Sequence, residues 1–281
     1  MFSKHMNHTV TEPFLVRALL IVLSIVALFL IIGMPIIVVF TEAFSKGYHA
    51  YIADILDPYA ISAIKLTLLV VAIAVPFNLI FGVVASWAIT KFEFAGKHFL
   101  ITLIDLPFSV SPVISGLIYV ILFGAHSIFS DWLSEHNLQI VFAVPGIVLA
   151  TIFVTFPFVA REIIPLMQEQ GTEEEEAAIL LGASGLQTFW RVTLPNISWA
   201  LVYGVLLCTA RAMGEYGAVS VVSGHIKGET MTIPLHVEVL YNEYNFTAAF
   251  AVASILSLMA LLTLIVKWIV EKHFHSSNQS T

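Results

Sequence analysis

The chain has 281 residues, of which 59% are hydrophobic and only 11% charged, with a mean hydropathy of +0.94. Soluble domains carry about 25% charged residues, so composition excludes an ordinary water-soluble fold and places the chain in the membrane class. A formal net charge of -7 and a pI near 5.8 speak against nucleic acid as a partner, because phosphate backbones are gripped through basic surface.

A helix needs about 20 mostly apolar residues to cross the hydrocarbon core, and six runs qualify: 14–40, 64–89, 99–123, 140–160, 197–222 and 246–270. The first is far longer than a signal-peptide core and lacks a small-residue cleavage site, so it reads as a retained helix. None of the runs alternates in polarity as a β-barrel strand does. The expected fold is therefore an all-α integral membrane protein with six transmembrane helices. With the N-terminus inside, Lys4, Arg17, Lys91, Lys97, Arg161, Arg191, Lys267 and Lys272 flank the cytoplasmic side, and Lys46, Lys65 and Lys227 the outer side. This asymmetry predicts a multi-pass protein with both termini cytoplasmic. The lone cysteine, Cys208, lies in an apolar run with no disulfide partner.

Between the fourth and fifth runs, residues 161–196 form the longest cytoplasmic segment. Thr172 and Glu175 have capping-box spacing, four successive glutamates, Glu173 to Glu176, suit the positive end of a helix dipole, and Gly182 with Gly185 ends the helix. A second short helix, 186–192, is expected to end at Pro195. The resulting elbow presents Ala177, Ala178 and Gly182, small enough for another protein to approach closely. A charged, solvated linker is the plain alternative. The spacing of Glu176, Ala177, Ala178, Gly182, Val192, Leu194 and Pro195 resembles the coupling motif of binding-protein-dependent ABC transporter permeases, with Val192 standing where isoleucine is usual.

Three further segments, Asp105 to Gly116, Val154 to Phe158 and Ala210 to Ala218, look like the sulfate/thiosulfate permeases, in particular their W-type subunit. The resemblance implies a type I ABC importer permease fold over residues 64–267, preceded by an added helix within 1–63 and followed by a polar tail, 268–281. It further implies that Glu176, Ala177, Ala178 and Gly182, with Leu194 and Pro195, contact a cytoplasmic ABC ATPase dimer. A second homologous permease and a periplasmic sulfate/thiosulfate-binding protein would complete an inner-membrane importer. The sequence contains no G-x-x-x-x-G-K-[ST] phosphate loop, so ATP hydrolysis is expected in a separate subunit and no cofactor is expected here.

Within the runs, Arg211 and Glu215 sit one helical turn apart and can pair. At 1.5 Å per residue from 197, Arg211 would lie about 21 Å along its helix, beyond the midplane. Intramembrane charges commonly mark a pathway, and a pair that only fixes helix packing is the other reading. Gly214, Gly217 and Ala218 would admit a neighbouring helix at a closable gate, or pack in the ordinary way. Asp105, about 9 Å from the cytoplasmic start of its run, lies at a different depth from Arg211. Pro107 and Pro112 flank Ser109 and Ser111, a pattern that fits either a broken helix lining a passage or a packing kink. His5, His8, His273 and His275 lie in polar tails and no histidine has metal-ligand spacing, so no metal is expected. The outer segment 232–245 reads as an interfacial helix that could also help dock a binding protein.

Two rival classes remain. A proton-coupled secondary transporter would use Asp105, Arg211 and Glu215 as a relay and would need no ATPase. A membrane enzyme would need a clustered catalytic constellation, which the sequence lacks. Within the leading class, molybdate or another tetrahedral oxyanion is the nearest alternative substrate.

Overall fold

The computed structural model describes residues 14–278, with side chains through 269 and that of Lys272. Lys4, His5 and His8 lie outside the described residues, as do the side chains of His273 and His275. Every regular element described is helical. By length and composition five helical stretches can cross a membrane, with a sixth crossing if one bent pair is counted as a span.

Helices α1 (Phe14–Leu28) and α2 (Met34–Ala43) are joined through a π turn, Phe29–Gly33, into one 30-residue stretch whose most apolar window is 0% buried. Such a surface belongs against lipid. Only α2 is tied down, packing on the last helix, α14 (Phe246–Asn278). The short α3 (Tyr48–Ile55) reinforces this seam, where the Tyr51 hydroxyl and Ser254 Oγ lie 3.0 Å apart.

Asp57 then starts α4 (Pro58–Lys91), its carboxylate accepting from the Tyr59 and Ala60 amides at 2.9 and 3.3 Å, with Pro58 preset for the first turn. At 34 residues α4 is about 50 Å long against a hydrocarbon core of about 30 Å, so it is longer than a straight crossing needs, and Lys91 is its last residue.

The third apolar run is not one straight crossing: α5 (Lys97–Ser109) and α6 (Pro112–Phe123) meet at 108°. Val110 and Ser111 are extended, as the residue before a proline must be, and this breaks the helix where Ser109 and Ser111 stand. Beyond the short α7 (Ser130–Glu135), the 27-residue α8 (Val144–Gln170) forms the centre of the bundle, packed between α4 and α11 (Leu194–Met213). Val159 is the pivot: a Cβ on Gly82 would come within 2.8 Å of its Cγ1, and one on Gly204 within 3.1 Å of its Cα. Three helices therefore approach where two of them carry no side chain. One level away, Asn78 Nδ2 donates to Thr155 Oγ1 at 2.8 Å, and Cys208 Sγ lies 3.7 Å from the Thr155 carbonyl, tying the same helices together.

The fifth run also differs from expectation. It ends at Met213, and the chain breaks at Gly214–Tyr216 before a separate short helix, α12 (Gly217–Val222). That helix nests on α6, where a Cβ on Gly116 would fall 2.6 Å from the Ala218 carbonyl oxygen and one on Gly217 would fall 3.0 Å from Pro112 Cβ. Small residues at 217 and 218 do allow a close approach, whereas Gly214 has no such neighbour. The predicted interfacial segment forms α13 (Ile233–Asn242), with Ile233, Leu235 and His236 buried against the bundle. The Ile233 amide donates to Thr67 Oγ1 at 2.9 Å, fastening it to α4.

Candidate functional site

The elbow is a short helix, α9 (Glu173–Leu180), packed on the segment Phe189–Thr193 that leads into α11 and tied through Glu175 to Lys91 at the end of α4. Gly182, at φ +91, turns the chain where a side chain would be strained. Ser184 and Gln187 then make a true capping box on α10 (Gly185–Thr188). The expected box at Thr172 and Glu175 does not form: the Thr172 hydroxyl donates to Glu176 Oε1 at 2.7 Å, because Glu175 is engaged elsewhere. Lys91 Nζ lies 2.8 Å from Glu175 Oε1, with side chains only 8% and 16% exposed, and also donates to the Gly171 carbonyl. Thr193 Oγ1 donates to the same Glu175 oxygen at 3.2 Å, and Asn196 Nδ2 donates to Glu174. The acidic turn is therefore bolted to α4 and to the start of α11 rather than free in water.

No second elbow helix ends at Pro195. α10 passes through a π turn, Phe189–Thr193, into α11, giving one stretch Gly185–Met213. The π turn sends the Leu194 amide back to the Phe189 carbonyl, so the missing N–H of Pro195 falls in a first-turn position where none is needed. Glu176, Ala177 and Gly182 are exposed, Ala178 and Leu194 half-buried, and Pro195 exposed. Leu180 and Leu181, at 87% and 90% exposure, are the most bare large apolar side chains of the elbow and were missed from sequence. Their place just before Gly182 at the helix end was the available signal. A cavity of about 310 Å³ opens between the elbow and the end of α4, lined by Trp87, Lys91, Glu176 and Ile179 among others.

Arg211 and Glu215 do pair, at 2.6 Å, but across a break rather than along one helix. Arg211 occupies the last turn of α11, where a cation is favoured. The Glu215 carboxylate, nearly inaccessible, accepts from the Ala218 amide at 2.8 Å at the start of α12, where an anion is favoured. The pair thus stitches two helix ends.

Asp105 has a partner the sequence did not suggest. Its Oδ1 accepts from Arg161 Nε at 2.8 Å, and the guanidinium lies 4.3 Å from the Phe108 ring centroid. The side chains remain 41% and 51% exposed. Ser109, one turn beyond Asp105 on α5, and Ser111 in the break are exposed as well. Arg161 is not a loop charge: it stands nine residues before the end of α8 at Gln170, about 13 Å from that end. The α8 and α11 register, Val159 level with Gly204 and Thr155 level with Cys208, sets Arg211 at the level of Ile152. The two arginines are therefore about 13 Å apart in depth, Arg161 nearer the elbow. No cluster of metal-binding side chains occurs among the described residues.

An all-helical bundle with a broken third span and an elbow bolted under its core helices defines a membrane permease of the type I ABC importer fold. The family profile described as "Binding-protein-dependent transport system inner membrane component" matches residues 78–274, and the chain belongs to that family, one of transport permeases rather than of enzymes. Among curated relatives, it is 54% identical over 237 residues to the sulfate transport system permease protein CysW of Escherichia coli (strain K12), covering 84% of this chain and 81% of that one. It is 49% identical over 261 residues to CysW of a Synechocystis species, covering 93% and 95%. The sulfate transport system permease protein CysT of E. coli matches at 35% over 241 residues, covering 86% and 87%. Among solved structures, a chain of a bacterial alginate ABC transporter in complex with an alginate-bound periplasmic protein superposes with a TM-score of 0.73 at 17% identity, covering 92% of each chain. At that identity the likeness speaks for the fold.

Proposed function

We propose that this chain is one of two permease subunits of an ATP-driven importer of sulfate or thiosulfate in the inner membrane. The observation that carries the reading is the 54% identity to a sulfate permease over 84% of the chain. The permease module is taken as 64–267, close to the matched 78–274. A second permease, similar to the CysT relatives, would pair with it, and a periplasmic binding protein would deliver the anion. Both termini face the cytoplasm, in keeping with the lysine and arginine asymmetry.

Glu176, Ala177, Ala178 and Gly182 meet a cytoplasmic ATPase, with Leu180 and Leu181 as its apolar anchor. Leu194 and Pro195 lie at the root of α11. When the ATPases close, the elbow moves, and Lys91–Glu175 carries that displacement into α4 as a strut. Because α4 and α8 interlock at Gly82 and Val159, the displacement reaches the centre of the bundle. Asp105, Ser109, Ser111, Arg211 and Glu215 border the passage, with Arg211–Glu215 bracing the helix break at its far side.

The test is purification of the tagged chain from membranes in mild detergent, followed by reconstitution. An ATPase and a second permease are expected to co-purify, and sulfate uptake into vesicles is expected to require ATP. Substituting Gly182→Asp should release the ATPase while the spans stay inserted. Recovery of the chain alone with ATP-independent uptake would overturn the reading in favour of a secondary transporter.

A further inference from the structure

Resting on the oxyanion-importer reading above, we propose that Arg161 is a substrate-contacting residue. Its guanidinium receives a tetrahedral oxyanion in the elbow-side half of the passage, oriented for that purpose by Asp105 and Phe108.

The first argument is placement. Arg161 and Asp105 stand on two spanning helices, Arg161 about 13 Å in from the elbow end of α8, with about half of each side chain uncovered. A charged side chain facing hydrocarbon is costly, so an uncovered pair on such helices belongs on a wet or protein-covered face. Glu162, the next residue, turns instead toward α11, where its Cβ lies 3.6 Å from the position a Cβ on Gly204 would take. Arg161 thus points away from the packed core while its neighbour points into it.

The second argument is donor geometry. Arginine carries its donors in a rigid planar fork. Here Nε is used by Asp105 at 2.8 Å, and one face of the plane is covered by the Phe108 ring. The two terminal nitrogens make no hydrogen bond to any described residue. A fork fixed at its root and free at its tips presents the bidentate edge that carboxylate and sulfate-like oxygens accept. Ser109, one turn beyond Asp105 on α5, and Ser111 in the break are both exposed, and their hydroxyls would offer neutral donors to the remaining oxygens.

The third argument is strength. A bare arginine would hold a dianion too long for passage, whereas one already neutralised by Asp105 attracts more weakly, as conduction requires. Arg211 is the less suitable of the two arginines, because Glu215 occupies its terminal nitrogen at 2.6 Å and is itself locked by the Ala218 amide.

The experiment uses the complete importer, with its ATPase, second permease and binding protein, in proteoliposomes. Arg161→Gln is expected to lower maximal sulfate uptake about tenfold or more, the loss of a charge-assisted contact. Subunit composition and ATPase rate should stay near wild type, so that fewer anions enter per ATP consumed. Arg161→Lys, with charge but no fork, should fall between. Asp105→Asn should also slow uptake at unchanged ATPase rate, through delayed release. Wild-type uptake in Arg161→Gln would overturn the assignment. So would loss of the second permease on purification, which would make Arg161 an interface residue that a carboxylate of the other subunit covers. If Arg161→Gln fails to fold, wild-type anion-to-ATP ratios in both Arg161→Lys and Asp105→Asn would overturn it instead. A wild-type complex that assembles but imports no sulfate would defeat the importer reading and the assignment with it, and differs from every variant-specific outcome.

Discussion

Lys91–Glu175 and Asp105–Arg161 are ion pairs of the same length, 2.8 Å, in opposite settings. The first lies at the elbow, at the last residue of α4, yet its side chains are 8% and 16% exposed; the second lies nine residues inside the end of α8, yet its side chains are 51% and 41% exposed. Burial here does not follow distance from the helix ends. At the elbow the protein encloses its own charges to make a rigid joint. Further along the bundle it leaves charges uncovered, where the proposed passage or a partner subunit would cover them.

The sharpest way to break this contrast is to cut the enclosed pair. Lys91→Met strands the Glu175 carboxylate, which should cost about 3 kcal/mol, read as a lowered thermal midpoint in detergent and as ATPase activity uncoupled from uptake. A midpoint equal to wild type would mean the joint is not rigid. Next in size is Gly116→Ala, whose new methyl meets the Ala218 carbonyl at 2.6 Å. Forcing α6 from α12 should cost about 2 kcal/mol and disturb the break beside Ser111, so sulfate uptake should fall with stability.

A smaller effect is expected at His236, remote from both pairs. Its burial holds the pKa below the ordinary histidine value, with Lys227 adding to the depression and Asp57 and Glu243 opposing it. The folded chain keeps the ring neutral while the unfolded chain takes up a proton below about pH 6.5. Stability from this group is therefore present above pH 6.5 and lost as pH falls through the folded value. Thermal midpoints between pH 7.5 and 5.5 should drop, and His236→Gln should flatten that slope. The smallest effect belongs to the exposed pair: Asp105→Asn should change the stability of the isolated chain by about 0.5 kcal/mol or less. A loss comparable with Lys91→Met would erase the contrast.

Much of this was legible in the sequence. The runs beginning at 64 and 246 contain only α4 and α14 residues, and the glutamate turn with Gly182 was read as an elbow because charge, small residues and a glycine stop coincide there. Composition was silent on direction: 99–123 is apolar on average, and only the Ser111–Pro112 dipeptide carries the 108° bend. In 197–222 the apolar average concealed the break, although Glu215 flanked by Gly214 and Gly217 was its signature. Pro195 looked like a stop because a π turn leaves no trace in spacing. The fourth run was ended at 160, so Arg161 was read as a flanking charge, whereas the helix α8 runs on to Gln170 and holds Arg161 on its face. Its partnership with Asp105 joins residues 56 positions apart, which periodicity within a helix cannot reveal.

Leu180 and Leu181 carry one more consequence, for the life of the protein before it is at work. Two adjacent leucines left almost wholly uncovered are the kind of bare apolar surface that proteases and chaperones survey. In the importer proposed above, docking of the elbow on an ATPase would cover them, and a copy without that partner would leave them on display.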